Sequence, residues 1–385
     1  MALVALRWAI LLIAIAPFAY YLIATYCSWD YFRKAHAKES LPDFGLPPVS
    51  VLKPVRGVDA NAYQNFASFC EQNYSDYEIL FAVADADDPV LPLIARLQKD
   101  FPDRAIRLIS DIPQLGPNRK INNLAALSRA AAREILVISD SDVRVDPLYL
   151  RRVAAKFSNP NVGAVTAFFR SRVEGSWGAA LEALVLSTET VPNALVARKI
   201  EGKVQFAFGW TMATTKTHLE AIGGFEDMVH VHSDDFELGN RIAARGLAIE
   251  LLPVPVEMAF PEEPIATYLR HELRWAIGLR SVRPAGYWGL LFTFGLPWTI
   301  LAVLVAPTAG CAIGYAASYL LLRFLQVWLT GVWGLGDPVT RTYWWLTPVR
   351  DAINFSLWLA GFFASEIEWR GIKYKVKKGN KLVPA

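Results

Sequence analysis

The chain has 385 residues, 54% hydrophobic and 19% charged, with a formal net charge of +3. Ordinary soluble domains carry about 25% charged residues, so part of this chain is built for a non-aqueous surrounding. The near-neutral balance, with no basic block interleaved with aromatics, excludes a nucleic-acid partner. Cys27, Cys70 and Cys311 are too scattered for a metal-ligand spacing or a disulfide framework, which fits a reducing compartment.

Residues 8–29, WAILLIAIAPFAYYLIATYCSW, carry no charge until Asp30. About 20 apolar residues cross a hydrocarbon core, so this stretch is read as an N-terminal transmembrane helix. A cleaved signal peptide would have an apolar run of roughly 7–15 residues followed by a small-x-small site, and neither is seen. Arg33, Lys34, His36 and Lys38 follow directly. By the positive-inside rule they place the next domain in the cytoplasm.

Residues 49–275 read as one α/β domain. VSVLK (Val49–Lys53), EILFAV (Glu78–Val83), Ile106–Ile109 and ILVIS (Ile135–Ser139) are candidate buried strands of a largely parallel sheet. Ala60–Gln72, Pro89–Phe101 and Lys120–Arg133 have helical spacing between them. That alternation predicts a doubly wound sheet, with ligands beyond the carboxyl ends of its strands.

Carboxylates gather at those strand ends. EILFAV runs into Ala-Asp-Ala-Asp-Asp-Pro (84–89), and ILVIS runs into Asp140-Ser141-Asp142. Asp87 or Asp88 could instead cap a helix starting at Pro89, and Asp146 one starting at Pro147. Asp140 and Asp142 resist that reading, because two carboxylates close together repel unless a cation neutralises them. Oxygen donors suit Mg²⁺ or Mn²⁺, with coordination completed by phosphate oxygens of a substrate.

Farther on, Gly223-Gly224-Phe225 leads to HVHSDDFEL (230–238) and a helix over Phe236–Arg245. Asp234 and Asp235 either cap that helix or supply a general base at its rigid end. His230 and His232 read as structural or surface residues. WGAALEALVLSTETVPNALVARK (177–199) is apolar, but Glu182 and Glu189 argue against a span. It reads as a core helix or as an interfacial segment admitting a lipid. HELRW (271–275) combines Arg274, able to bind a diphosphate, with Trp275, able to face a sugar; interfacial anchoring is the other reading.

Residues 285–364 hold the C-terminal membrane segments. Tyr287–Ala306 and Ile313–Leu335 are spanning candidates; Pro297 should kink the first, and Arg323 and Gln326 in the second must face protein or headgroups. Tyr343–Phe363 is interrupted by Arg350, Asp351 and Asn354 and is read as re-entrant or interfacial, because the basic tail (365–385) belongs inside.

The order of these groups, with apolar segments outside them, resembles the family 2-like GT-A glycosyltransferases. The resemblance is to the ceramide glucosyltransferase branch, which includes bacterial hopanoid-biosynthesis glycosyltransferases. It covers nearly the whole chain and is carried by LKPVRGVD (52–59), VADADDP (83–89), GPNRKINNL (116–124), SDSDVRV (139–145), GGF…SDDF (223–236), HELRW and WRGIKYKVKKG (369–379). It implies a Rossmann-like nucleotide-sugar-binding domain. Asp85 would contact the uracil of a UDP-sugar, and Lys120 would steady the donor. Asp140 and Asp142 would hold the divalent cation and its diphosphate, with Asp235 as base and Arg274 and Trp275 as the Arg-Trp pair of a Q/R-x-x-R-W motif. His271 departs from that motif, which has Gln or Arg there.

The implied reaction is an inverting transfer of glucose or N-acetylglucosamine to a membrane lipid hydroxyl. The implied place is a multi-pass membrane protein with a cytoplasmic catalytic domain, in a bacterial inner membrane. A hopanoid acceptor, or a processive polysaccharide synthase, is the alternative.

Overall fold

The four runs of continuous apolar sequence form strands: β1 (Val49–Pro54), β2 (Tyr77–Ala82), β3 (Ala105–Ile109) and β4 (Ile135–Ser139). They are parallel, with Val51 opposite both Ile79 and Val137, and Leu80 opposite Arg107. β1, β2 and β4 are buried on both faces, which is why their sequences show no alternation. Each fully buried Leu, Ile or Phe in them contributes about 1.5–3 kcal/mol. β3 differs from the expectation of a buried strand. It is an edge strand, mostly exposed, and the charge of Arg107 suits that place.

Six further strands follow: β5 (Val143–Arg144), β6 (Val162–Thr166), β7 (Phe169–Val173), β8 (Thr211–Thr215), β9 (Ala248–Leu251) and β10 (Val256–Phe260). The main sheet has the order β3-β2-β1-β4-β8-β6-β9. β8 is antiparallel to both β4 and β6, so the parallel half ends at β4. β5 leaves the end of β4 and pairs antiparallel with β10, Val143 opposite Met258.

The computed structural model describes residues 1–36, 41–42, 45–173, 175–262, 264–369, 371–377 and 379–385; Lys38, Arg370 and Lys378 of the basic segments lie outside the described residues. The chain forms two units. The one just described comprises His36–Arg170, Glu201–Pro261 and Asn380–Ala385; the other comprises Met1–Ala35, Ser171–Ile200 and Glu262–Gly379.

The second unit is mainly helical. Three of its helices are long and apolar enough to cross a membrane: Ala2–Ala35, Pro284–Val305 and Ala309–Gly334. The first is longer than residues 8–29 and breaks at Ala14–Ile15, just before Pro17. The second is interrupted by a 3-10 turn, Leu290–Phe292, and restarts at Gly295. Pro297 then sits in the first turn of the new helix, where its missing N–H costs nothing. The Thr347–Gly361 helix has 15 residues. At 1.5 Å per residue that is about 22 Å, short of the ~30 Å hydrocarbon core.

Charges in this unit are internally matched. Arg323, 4% exposed, donates to both carboxylate oxygens of Asp351 at 2.9 and 2.5 Å and to Thr188 O and Gln326 Oε1. Arg350 is fully buried and contacts Glu272 at 2.7 Å, Glu189 at 3.2 Å and the Tyr268 hydroxyl at 3.0 Å. Arg323 and Gln326 therefore face protein, as a polar group at membrane depth must. Residues 177–199 form the Trp177–Ala183 helix, a π turn over Leu186–Thr190 and the start of the Val191–Glu201 helix. In the tail the strands Glu366–Trp369 and Ile372–Lys377 pair antiparallel, Ile367 opposite Tyr374.

Candidate active site

Lys120 stands in the first turn of the Arg119–Ala130 helix. The helix begins there because the Asn118 side chain caps it, accepting from Ile121 N at 3.1 Å. The Lys120 ammonium lies 2.6 Å from Asp140 Oδ1, 4.0 Å from Asp234 Oδ2, and donates to Gly209 O at 3.3 Å. Burial would lower its pKa, but Asp140 and Asp234 outweigh that and hold it above the ordinary lysine value. It stays an ammonium at any physiological pH.

The two acids beside it differ. The Asp234–Ala244 helix starts two residues before the expected Phe236, with Ser233 at the cap, so both aspartates belong to its first turn. Asp235 Oδ2 accepts from Gly209 N and Oδ1 from its neighbour Phe236 N, both at 2.8 Å. Two backbone donors fix that carboxylate in one orientation and leave each oxygen a second lone pair. Asp234 is 6% exposed, and its Oδ2 is a buried oxygen with no hydrogen-bond donor. Burial raises Asp234 to about 6, helped by the charges of Asp235 and Asp140 and opposed by Lys120. Burial also raises Asp235, against Lys120 and its two amide donors. Gly239 of the same helix lets the chain pass close by, since a Cβ there would sit 2.4 Å from Ala207 N.

Asp140 and Asp142 follow β4 directly, where a polar pair can leave an apolar strand. Asp140 N donates to Trp210 O at 3.1 Å, and Asp142 O accepts from Ala259 N at 3.3 Å, so the pair is pinned from both sides. Ser141 between them donates to the Asp59 carboxylate. Beneath them lies Lys53, fully buried at the end of β1, donating to Asp140 O at 2.8 Å and Ser139 Oγ at 3.2 Å, over the Phe69 ring at 3.7 Å. Burial lowers Lys53 to about 7, with Asp140 and Asp142 opposing.

Asp85 is at the end of β2, half exposed and paired with Arg56 at 3.5 Å. β1 lies between β2 and β4, so the strand leading to Asp85 is about 10 Å across the sheet from the one leading to Asp140. Asp88 is structural: it accepts from Gly57 N and Val90 N. Asp146 likewise accepts from Leu148 N and pairs with Arg152. Arg274 and Trp275 belong to the helical unit, on the Ile265–Val282 helix. With His271 they share one helix face by their i, i+3, i+4 spacing. His271 Nδ1 is 3.3 Å from Glu182 Oε1, and Trp275 is 36% exposed.

The structure thus joins Lys120, Asp140, Asp234 and Asp235 in one cluster, places Asp142 beside Asp140 in the chain, and sets Asp85 two strands away. The sequence reading missed three groups. Gly209–Trp210 sits in an aromatic run, with Trp210 stacked on Phe208 at 4.4 Å. Lys53 was hidden as the last residue of a strand. Asn118 was quoted only as part of a motif, although an Asn opening a helical run is a recognisable cap.

A divalent cation fits this donor set, with a limit. Among the described residues no group of three or more His, Cys, Asp and Glu could hold a metal ion. Asp140 and Asp142 offer hard oxygen donors from two residues only, which suits a cation that shares its coordination with phosphate oxygens and water.

A family model described as glycosyl transferase family 21 matches residues 9–382. Ceramide glucosyltransferase 1 of Caenorhabditis elegans is 25% identical over 368 residues, covering 92% of this chain and 76% of its own length. Ceramide glucosyltransferase 3 of the same organism is 27% identical over 373 residues, covering 93% of this chain and 78% of its own. Among solved structures, a mannosyltransferase from Pyrobaculum calidifontis in complex with GDP-Man and Mn²⁺ superposes with a TM-score of 0.52 at 21% identity, covering 92% of this chain and 99% of that one. That likeness shows the fold, a GT-A-like α/β architecture.

Proposed function

Because the chain belongs to glycosyl transferase family 21 and is a glycosyltransferase with candidate membrane helices, we propose that it transfers a hexose from a UDP-sugar to a membrane lipid hydroxyl with inversion. The observation that carries this reading is the Lys120–Asp140–Asp234–Asp235 cluster at the carboxyl end of the parallel strands. A single cation among these carboxylates fits a phosphate-bearing ligand that arrives with its own counter-ion.

In this reading Asp235 is the general base, because it is partly exposed and held by two amides, whereas Asp234 is buried. The acceptor proton passes to Asp235 as the hydroxyl oxygen attacks the anomeric carbon, worth typically ~10²–10⁴-fold. Lys120 stays charged and steadies the donor phosphates; Asp234 holds Lys120 in place from behind. Asp140 and Asp142 would hold Mg²⁺ or Mn²⁺, which supplies charge stabilisation for the departing diphosphate. Asp85 is assigned to the uracil, and Arg274 and Trp275 to the leaving group and sugar, on the strength of the sequence motif. The acceptor is read as ceramide-like and the sugar as glucose or N-acetylglucosamine.

One parity supports an even number of crossings after the α/β unit in this reading. Residues Asn380–Ala385 belong to the same unit as His36–Arg170, so the chain that leaves this unit at Pro261 must come back to the same side. An even number of crossings satisfies that, and Pro284–Val305 and Ala309–Gly334 supply two. Arg33 and Lys34 beyond the first helix support a cytoplasmic assignment of that side.

The test is incubation of membranes containing the protein with each radiolabelled UDP-sugar and a lipid extract, with and without chelator. A single β-linked glycolipid, lost on chelation and restored by Mn²⁺ or Mg²⁺, is expected. A polymeric product, or no transfer from any UDP-sugar, overturns the reading.

A further inference from the structure

Asn380, Lys381 and Leu382 are bound to the loop that leads into the paired aspartates. The loop runs from Val229 to Ser233 and is held from two sides. On one side Asn118 N donates to Val229 O at 3.0 Å and Asn118 Nδ2 to Val231 O at 2.8 Å. Gly116 permits this approach, since a Cβ there would lie 2.6 Å from Val229 Cβ. On the other side the C-terminal strand Lys381–Pro384 bridges antiparallel to it, Lys381 opposite Val231, with Leu382 N donating to His230 O at 2.7 Å. Leu382 is fully buried.

The tightest grip falls on Ser233, the cap residue of the Asp234–Ala244 helix. Asn380 O accepts from His232 N at 2.9 Å. Asn380 Oδ1 accepts from Ser233 N at 3.1 Å, and Asn380 Nδ2 donates to Ser233 O at 3.4 Å. One side-chain amide therefore engages both backbone groups of the residue immediately before Asp234, whose carbonyl also accepts from Glu237 N at 3.1 Å. Asn380 does this from a left-handed backbone, φ 61, which asparagine tolerates better than other side chains. It is 4% exposed.

The Ser233 hydroxyl makes no cap bond, so its own side chain does not fix where the helix begins. That task falls to a residue 147 positions away. We infer that Asn380 is a positioning residue for the catalytic carboxylates, and that the C-terminal strand is a working part of the active site. It acts by setting the helix start, and through it the direction of Asp235. The inference rests on Asp235 being the base. A small rotation of that helix end would swing the carboxylate from the acceptor while leaving Asp140, Asp142 and Lys120 on their own elements.

Three full-length variants test this: Asn380→Gly, which keeps the left-handed backbone and deletes the amide; Asn380→Asp, which keeps the acceptor to Ser233 N; and Asp235→Asn as reference. Turnover, donor KM, UDP affinity by calorimetry and thermal unfolding are measured for each. Asn380→Gly is expected to lower kcat roughly tenfold to a hundredfold, the scale of an ångström-level misplacement. Donor KM and UDP affinity should stay within about twofold, and Asn380→Asp should recover part of kcat. Full turnover in Asn380→Gly, with Asp235→Asn inactive, overturns the positioning role and leaves the base assignment standing. A parallel loss of UDP affinity, kcat and melting temperature makes Asn380 merely structural and overturns it as well. An active Asp235→Asn overturns the base assignment and this inference together.

Discussion

Each of the two units buries charge, and they treat it in opposite ways. In the helical unit Arg323 spends its donors on Asp351, Thr188 O and Gln326, and Arg350 sits between Glu272 and Glu189. In the α/β unit one ammonium, Lys120, faces Asp140 and Asp234 with Asp235 close enough to act on it, and Asp234 keeps a buried oxygen without a donor. Around Arg323 the first arrangement is saturated, and around Arg350 the cation is balanced by two carboxylates although Arg350 Nε, Glu189 Oε1 and Glu272 Oε1 lack hydrogen-bond partners. The second is short of positive charge and donors. Charge deficit at a strand end, rather than charge burial itself, is what separates a site from a structural bolt.

The comparison breaks most easily at Asp235. Asp235→Asn keeps the shape and one of the two amide contacts but removes the base. It should cost about 10²–10⁴-fold in kcat while UDP affinity by calorimetry is retained. Turnover close to wild type would place the site's chemistry elsewhere.

Next is the saturated side. Arg323→Met leaves Asp351 buried without its partner and should cost about 3–5 kcal/mol in unfolding of the detergent-solubilised protein. Arg323→Met combined with Asp351→Leu should regain most of that, because a matched pair can be exchanged for apolar packing. If the double variant is as damaged as the single, Arg323 does more than balance Asp351.

The smallest effect is on pH. Asp234 is raised to about 6 and Asp235 is raised with it, mainly by burial. A raised carboxylate is protonated, and so useless as a base, below its folded pKa. Turnover should therefore fall toward acid pH as the pair titrates as one unit, with the acid limb above the ordinary carboxylate range. An acid limb near 4, the range of an ordinary carboxylate, would show that the burial of the pair is relieved when substrate binds.

What could be read from the sequence follows the same division. β1, β2 and β4 announce themselves because both faces are apolar, and Asp140 and Asp142 stand out because they interrupt that pattern at its end. β8 (TMATT) and β9 (AIEL) do not, being short and partly polar, so the antiparallel half of the sheet was not anticipated. Asp234 and Asp235 are adjacent in the chain and look alike there; only the fold buries one and leaves the other partly exposed. Arg350 and Asp351 looked like faults in a membrane segment until Glu272, Glu189 and Arg323 were brought against them. Asn380 had no local signal at all, since its partner is Ser233.

The return of the chain's end to this loop also bears on how the protein is made. Pro261 leaves the ribosome about 120 residues before Asn380, roughly 6–24 s of synthesis. During that interval the α/β unit has every strand of its main sheet, yet the helix start before Asp234 lacks its clasp. The clasp arrives only after the C-terminal helices have been made, so a chain stalled before that point would carry the whole main sheet with the Ser233 backbone not yet held by Asn380.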